Sequence, residues 1–259
     1  MANAYATKAY SQGMKYAEIF FDPQSHTSRN ITFEKVITGV REGLDKVKEE
    51  HSDFDYNLIM CFLRHLTEDD AFATYNTSLD FRNLFIGVGL DSSEVGHPPS
   101  KFQNVFNEAI KDGFHVVAHA GEEGPSSYIE EALDILHVER IDHGVHILDD
   151  ANLTQRVADL KIPLTLCPLS NQKLQVVPDL KKYKLKEMME KGLQTTVNSD
   201  DPSYFGGYIG DNFYAMLKNL KLTKEELGQL AINSFNSTFL ENDKKEAYIQ
   251  KVKEYLNNN

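Results

Sequence analysis

Cysteine is scarce in this chain, with two in 259 residues, Cys61 and Cys167, both inside apolar runs. A disulfide framework is denser than this and belongs to secreted chains, so both cysteines read as reduced core thiols. Basic charge is also short: 27 Lys and Arg stand against 39 Asp and Glu, for a net charge of −12. A sequence-independent grip on nucleic acid needs clustered Lys and Arg, and this balance excludes it. A small uncharged or cationic substrate is left open. No apolar run is long enough to span a bilayer. The N-terminal stretch MANAYATKAYSQGMKYAEIF has no basic region followed by an apolar core. The expectation is no signal peptide, no membrane partner and a cytoplasmic location. No Pro/Gly-rich linker or low-complexity tract divides the chain, so residues 1–259 are expected to form a single domain. The oligomeric state is unknown from the residues alone.

What the sequence does contain is an alternation of short apolar runs and helix-patterned segments. The runs are residues 15–22 (KYAEIFFD), 56–64 (YNLIMCFLR), 85–94 (FIGVGLDSSE), 115–122 (HVVAHAGE), 141–146 (IDHGVH), 162–168 (IPLTLCP) and 193–201 (LQTTVNSDD). Nearly continuous hydrophobicity of this kind marks parallel strands buried on both faces. Between them, Phe33, Val36, Ile37, Val40, Leu44 and Val47 form a helical stripe. Phe102, Val105, Phe106 and Ala109 form a second, and Tyr128, Ile129, Ala132, Leu133 and Leu136 a third. Repeated β-α units make either an open doubly wound sheet or a closed (β/α)8 barrel. Here almost every run ends in polar, reactive side chains: Asp22, Arg64-His65, Asp91 to Glu94, His119 to Glu122, His143, Ser170-Asn171 and Asp200-Asp201. An open sheet gathers ligand groups mainly at one switch point, whereas a barrel collects them from all its strand ends. The expected fold class is therefore α/β, a TIM-type (β/α)8 barrel. Only seven strands are counted, and residues 2–11, ahead of the first of them, read as the tail of a helix. The barrel is accordingly expected to lack strand one and to be incomplete at its N-terminus.

Three segments carry the chemistry. His119-Ala120-Gly121-Glu122 ends one run, and Gly121 lets a ligand approach the backbone closely. Asp200-Asp201-Pro202 ends the last; adjacent carboxylates can be a solvated turn or a helix cap, but at an apolar strand end they are costly without a cation or donor. Neighbouring strand residues point opposite ways, so one of the two can face a metal and the other a substrate. His143 ends a third run, and an imidazole that titrates near neutral pH suits a general base. Together His119, Glu122, His143 and Asp200 suit metal-assisted hydrolysis, since zinc takes His nitrogen and Asp oxygen and needs an activated water and a proton shuttle. The competing reading of each is a satisfied polar residue at the end of a strand.

HAGEEGP, IDHGVH, PLSN and NSDDPSYFGGY resemble, in order, the hallmark segments of the adenosine deaminase family. FFDPQSHTSR, FLRH, GLDSSE and the YFGGY tail are similar to its adenine deaminase branch, and the likeness runs over about residues 15–235. The resemblance implies a barrel of the metal-dependent hydrolase kind with Zn²⁺ as cofactor and a small purine base as substrate. It implies hydrolytic deamination of adenine to hypoxanthine and ammonia, a purine salvage reaction. It makes His119 and Asp200 zinc ligands, Glu122 the acid that protonates purine N1, and His143 the base that orients and deprotonates the attacking water. Asp201 then binds N7, Gly121 lies against the substrate, and Glu94 is the candidate for the base edge where a ribose would otherwise sit. The family also carries an HxH pair on strand one that completes the zinc site, and no HxH occurs in this sequence. His26, His65 and His97 lie in segments that match other parts of the pattern and are not assigned as replacements. The chain is therefore expected to be inactive or impaired, with weak zinc and unpaired sheet edges. Adenosine deaminase is the alternative within the family, disfavoured by GLDSSE. A non-catalytic barrel remnant acting in binding is the alternative outside enzymes.

Overall fold

The computed structural model describes residues 1–258 of the chain. These divide into two compact units, residues 1–120 with 130–139 and residues 121–129 with 140–258. Among the described residues there are seven strands, the number counted from the sequence.

The first unit holds β1 (Tyr16–Phe21), β2 (Asp55–Leu63), β3 (Gly87–Asp91) and β4 (His115–Ala120), each parallel to the next. Leu58 to Phe62 of β2 are fully buried without alternation, which is why this run reads as continuously apolar. Gly89 of β3 pairs with Cys61 of β2, and a Cβ at that glycine would lie 2.5 Å from the Cys61 sulfur. The helices are α1 (Ala2–Ser11), α2 (Phe33–Glu50), α3 (Glu68–Ser78) and α4 (Gln103–Lys111). Thr32 caps α2 by accepting from the Lys35 amide, and Phe33, Val36, Ile37, Leu44 and Val47 supply its buried face. Phe21 meets Phe33 and Phe85 edge to face, and Phe85 stacks on Phe114. Three tyrosine hydroxyls are tied down at the margins: Tyr16 to Glu18 and Asn57, Tyr56 to Asp45, and Tyr75 to Asp112.

The third helical stripe forms α5 (Ser126–Asp134). The second unit holds β5 (Arg140–His143), β6 (Leu164–Leu166) and β7 (Thr195–Val197), again parallel. Its helices include α6 (Ala151–Leu160), α7 (Pro168–Lys173), α8 (Ile209–Leu220), α9 (Lys224–Asn236) and α10 (Asn242–Asn258). These strands are shorter than the apolar runs suggest, for local reasons. β5 stops where His143 and Gly144 take φ of 64° and 70°, and residues 145–149 turn into a 3₁₀ helix. β6 is bounded by Pro163, which has no amide to donate, and Pro168, which opens α7. Ser170 and Asn171 are consequently helical residues of α7, not the end of a strand as the sequence reading has them. Among the described residues no helix is long and apolar enough to cross a membrane.

Candidate active site

In the second unit His143 ends β5, Cys167 and Asp200 follow β6 and β7, and Glu122 comes from the turn at residues 121–122. Glu122, on the turn that also holds Gly121, is 8 % exposed and accepts a 2.8 Å hydrogen bond at Oε1 from the Asn171 side-chain amide. Asn171 is fixed in turn, because its Oδ1 accepts from the buried Tyr183 hydroxyl at 2.6 Å. A carboxamide whose oxygen accepts must present its nitrogen as donor, so Tyr183 decides which way Asn171 faces. The same Glu122 oxygen lies 3.1 Å from His143 Nδ1. We assign the proton to Nδ1, since that nitrogen faces a carboxylate oxygen, and this turns Nε2 toward Asp200, whose Oδ2 is 4.0 Å away. His143 and Asp200 both have left-handed backbones, at φ of 64° and 55°. Non-glycine residues hold that conformation at a cost of about 1–3 kcal/mol each when the surroundings over-determine it, and such strain clusters at functional sites.

Beneath His143, a buried pair steadies β5. The Arg140 guanidinium lies 3.5 Å from the Asp142 carboxylate, which also accepts from Thr165 of β6 at 2.8 Å. Arg140 reaches on to the Ser237 carbonyl and lies over the Phe239 ring. Cys167 sits at the end of β6. One ligand atom each from His143, Cys167 and Asp200 falls within 4.8 Å of the others. Burial pushes the Cys167 thiol well above its usual range, and the carboxylates of Asp200, Glu122, Asp142 and Asp201 push it further. Burial likewise pushes the Tyr183 hydroxyl well up, with Cys167 and Glu122 acting in the same direction. Asp201 is exposed, and its amide donates to Asp200 Oδ1 at 2.9 Å. Gly121, at φ 66°, has a packing reason beyond ligand approach: a Cβ there would lie 2.5 Å from the Ile129 Cδ1 methyl.

In the first unit, His119 is half-buried at the end of β4 with its ring 5.9 Å from that of Phe20. Its carbonyl is held by fully buried Arg64, whose Nη1 donates to it at 2.6 Å while Nε donates to the His97 carbonyl at 2.9 Å. Glu94 is buried after β3. His26 lies against Arg29, and His65 against Ser92. A second cluster, Asp22, Cys61 and Asp91, brings one ligand atom from each within 4.8 Å of the others. Burial pushes the Asp22 carboxyl upward, against the hydrogen bond to Asp91 and the His26 charge.

Sequence reasoning brings Glu122, His143 and Asp200 forward, and the second unit holds those three side by side. It does not bring forward Tyr183, which belongs to no quoted motif, and it treats Cys167 as core. The one signal available for Cys167 was its position directly before PLSN, at a strand end. Glu94, His119 and Arg64 belong to the first unit.

Comparison with known proteins gives the family of the chain. The family model for adenosine deaminase matches residues 1–255. The adenine deaminase of Acinetobacter baylyi is 52% identical over 252 residues, 97% of this chain and 76% of that protein. The crystal structure of adenine deaminase from Arthrobacter aurescens superposes with a TM-score of 0.96 at 44% identity, over 99% of this chain and 78% of that one. An amidohydrolase from Burkhoderia ambifaria, solved with bound zinc, gives a TM-score of 0.91 at 25% identity, over 100% of this chain and 74% of that one. With an α/β fold of parallel strands and a family match over nearly its whole length, this chain belongs to the adenosine deaminase family.

Proposed function

We propose that this chain catalyses the hydrolytic deamination of adenine to hypoxanthine and ammonia. The observation that carries the reading is the hydrogen-bonded line Tyr183–Asn171–Glu122–His143, ending with His143 turned toward Asp200. Two carboxylates and an imidazole in fixed, distinct settings are the acid, base and ligand that this reaction needs. The seven strands of the described residues are taken as those of a (β/α)8 barrel, and no HxH pair occurs in this sequence. On that reading Glu94, His119, Glu122, His143, Asp200 and Asp201 keep the roles that the resemblance implies.

Among this chain's residues, His119 and Asp200 would hold the metal. The donors fit, being an imidazole and a carboxylate at strand ends, with a second imidazole 4.0 Å from that carboxylate. Zinc, when bound, supplies a water acidified toward neutral pH. The residues do the rest. Glu122 delivers a proton to N1, drawing electrons from C6. Its Oε1 faces the Asn171 amide and His143. His143 takes a proton at Nε2 from the attacking water as its oxygen bonds to C6. The proton then passes to the exocyclic nitrogen, the C6–N bond breaks, ammonia leaves, and the C6 hydroxyl gives up its proton, restoring the Glu122 acid and leaving the 6-oxo product. Asp201 accepts from the purine at N7, and Gly121 lets the base lie close to the backbone. A purine base alone fills the site, with Glu94 against the edge where a ribose would begin.

The test is to incubate the purified chain with adenine or adenosine, follow hypoxanthine, inosine and ammonia, and measure bound zinc in wild type and His119→Ala. The expected result is impaired turnover with weakly held zinc, adenine preferred to adenosine, and zinc and activity falling together in His119→Ala. Equal or faster turnover of adenosine would favour the nucleoside reading. Tight zinc without turnover of either would favour a non-catalytic binding role.

A further inference from the structure

The chain carries more acid than base, yet residues 181–191 (KKYKLKEMMEK) hold five lysines against two glutamates, and none of the motifs above uses them. In the second unit this stretch forms the 3₁₀ helix Leu180–Lys182 and the helix Leu185–Glu190. With the C-terminal end of α8 they border a hollow of about 470 Å³, lined by Lys181, Lys182, Lys184, Lys186 and Lys221. We propose that this hollow binds a small oligophosphate anion, a chain of two or three phosphates either free or carried by a nucleoside.

The charges around the hollow do not cancel. Lys184 pairs with Glu187 and Lys186 with Glu226 of α9, each at 3.1 Å. Lys181, Lys182 and Lys221 are exposed, and among the described residues they form no ion pair. Of the acids in the lining, only Glu190 is likewise outside a pair among the described residues. Positive charge is therefore in local excess on a chain whose net charge is −12. Each lysine ammonium brings three donors and a compact charge, and phosphate oxygens accept from such groups in short, charge-assisted hydrogen bonds. The frame that presents these lysines is fixed. The Asp179 side chain accepts from the Lys181 amide at 3.1 Å, and its carbonyl accepts from the Lys182 amide at 2.8 Å. Lys186 Nζ donates to the Lys221 carbonyl at 3.3 Å, which ties the helix Leu185–Glu190 to the end of α8. Tyr183 and Leu185 are buried, and Lys182 and Lys184 stand exposed on either side of Tyr183.

The size of the hollow selects a small ligand. Its volume lies within the range of about 300–1,000 Å³ that small-molecule sites occupy. A long nucleic acid would reach past the lysines into the field of an acidic chain, which repels it. The hollow also borders the line that holds Glu122. Tyr183 belongs to its lining, and the Tyr183 hydroxyl donates to Asn171, which donates to Glu122. An anion seated on Lys182 and Lys184 thus braces the turn from which the acid is positioned. That consequence rests on the deamination reading, whereas the binding itself does not.

The experiment is calorimetric titration of the metal-free full chain with inorganic tripolyphosphate, at ionic strength held constant with sodium chloride. The expected result is saturable one-to-one binding in the micromolar range. The Lys181→Gln/Lys182→Gln double variant and Lys221→Gln should each bind on the order of tenfold more weakly, the loss expected when a charge-assisted contact is removed. Lys35→Gln/Lys46→Gln removes the same charge from exposed positions of the first unit and should bind as the wild type does. Circular dichroism checks the fold of each variant, and the wild-type titration depends on no variant. Titration with ATP distinguishes the source: affinity equal to that of tripolyphosphate assigns recognition to the phosphates alone, and tighter binding that the Lys181→Gln/Lys182→Gln variant also weakens assigns a nucleoside-borne chain. A wild type without saturable binding, hollow variants that bind as the wild type does, or a control variant weakened as much as the hollow variants overturns the proposal. No part of this measurement involves adenine turnover, so failure of the deamination reading leaves it standing.

Discussion

At the scale of single residues, the site depends on Asn171. It donates to Glu122 and accepts from Tyr183, and no other residue type of that size offers both a donor and an acceptor in a fixed plane. Removing an outer support of this kind typically costs about 10–100-fold in activity or metal affinity. Asn171→Ala is therefore expected to lower kcat for adenine by that order while KM changes little, because the lost contact positions the acid and does not touch the substrate. Steady-state kinetics with a circular dichroism control checks this, and a variant with unchanged kcat would remove Asn171 from the machinery. Asn171 was legible as part of PLSN, whereas Tyr183 was not. Its hydroxyl comes from a turn after residues 180–182, and no spacing rule connects that turn to a strand end. His143 and Asp200 were legible as residue types, but their left-handed backbones were not, since sequence patterns favour glycine or asparagine there.

At the scale of elements, β5 is held by charge as well as by its ladder. The Arg140 and Asp142 side chains are almost wholly buried, with Thr165, Ser237 and Phe239 completing their surroundings. Breaking a buried pair by deleting one partner typically costs about 3–5 kcal/mol, because the other charge is left in a medium that does not solvate it. Arg140→Met is expected to be destabilised by that order in denaturant unfolding, with the Arg140→Met/Asp142→Leu double variant recovering much of the loss. If the single variant unfolds at the wild-type midpoint, the pair is not what steadies this strand. The strands and the three long helical stripes were legible, because burial on both faces and a one-sided stripe leave direct traces in the residue order. Strand ends were less legible. The run 85–94 extends to Glu94 in the sequence reading, yet β3 ends at Asp91, where Ser92 turns to φ 73°. The grouping of Glu122, His143 and Asp200 was legible from their shared strand-end placement and the resemblance, whereas the contacts that hold them together depend on tertiary packing.

For the molecule as a whole, the tied-down hydroxyls have an optical consequence. The chain has 12 tyrosines and no tryptophan, so its near-ultraviolet absorbance is a tyrosine spectrum without indole overlap. Tyr183 is buried against Asn171, and burial also pushes Tyr16, Tyr56 and Tyr75 upward, with Glu18, Asp45 and Asp112 as acidic neighbours. An unfolded tyrosine ionises near about pH 10. Because these folded-state pKa values are raised, the native state keeps protons that the unfolded state gives up. Their contribution to stability is complete below that pH and declines as pH rises above it. Alkali should therefore produce tyrosinate absorbance in two steps. Accessible phenols ionise first and reversibly, with circular dichroism unchanged. These four follow only as the fold collapses, so the second step coincides with loss of the far-ultraviolet signal. A single smooth rise that accounts for every tyrosine while the far-ultraviolet signal persists would mean that solvent already reaches the hydroxyl behind Asn171. The line that holds Glu122 can thus be followed by colour, without substrate or metal.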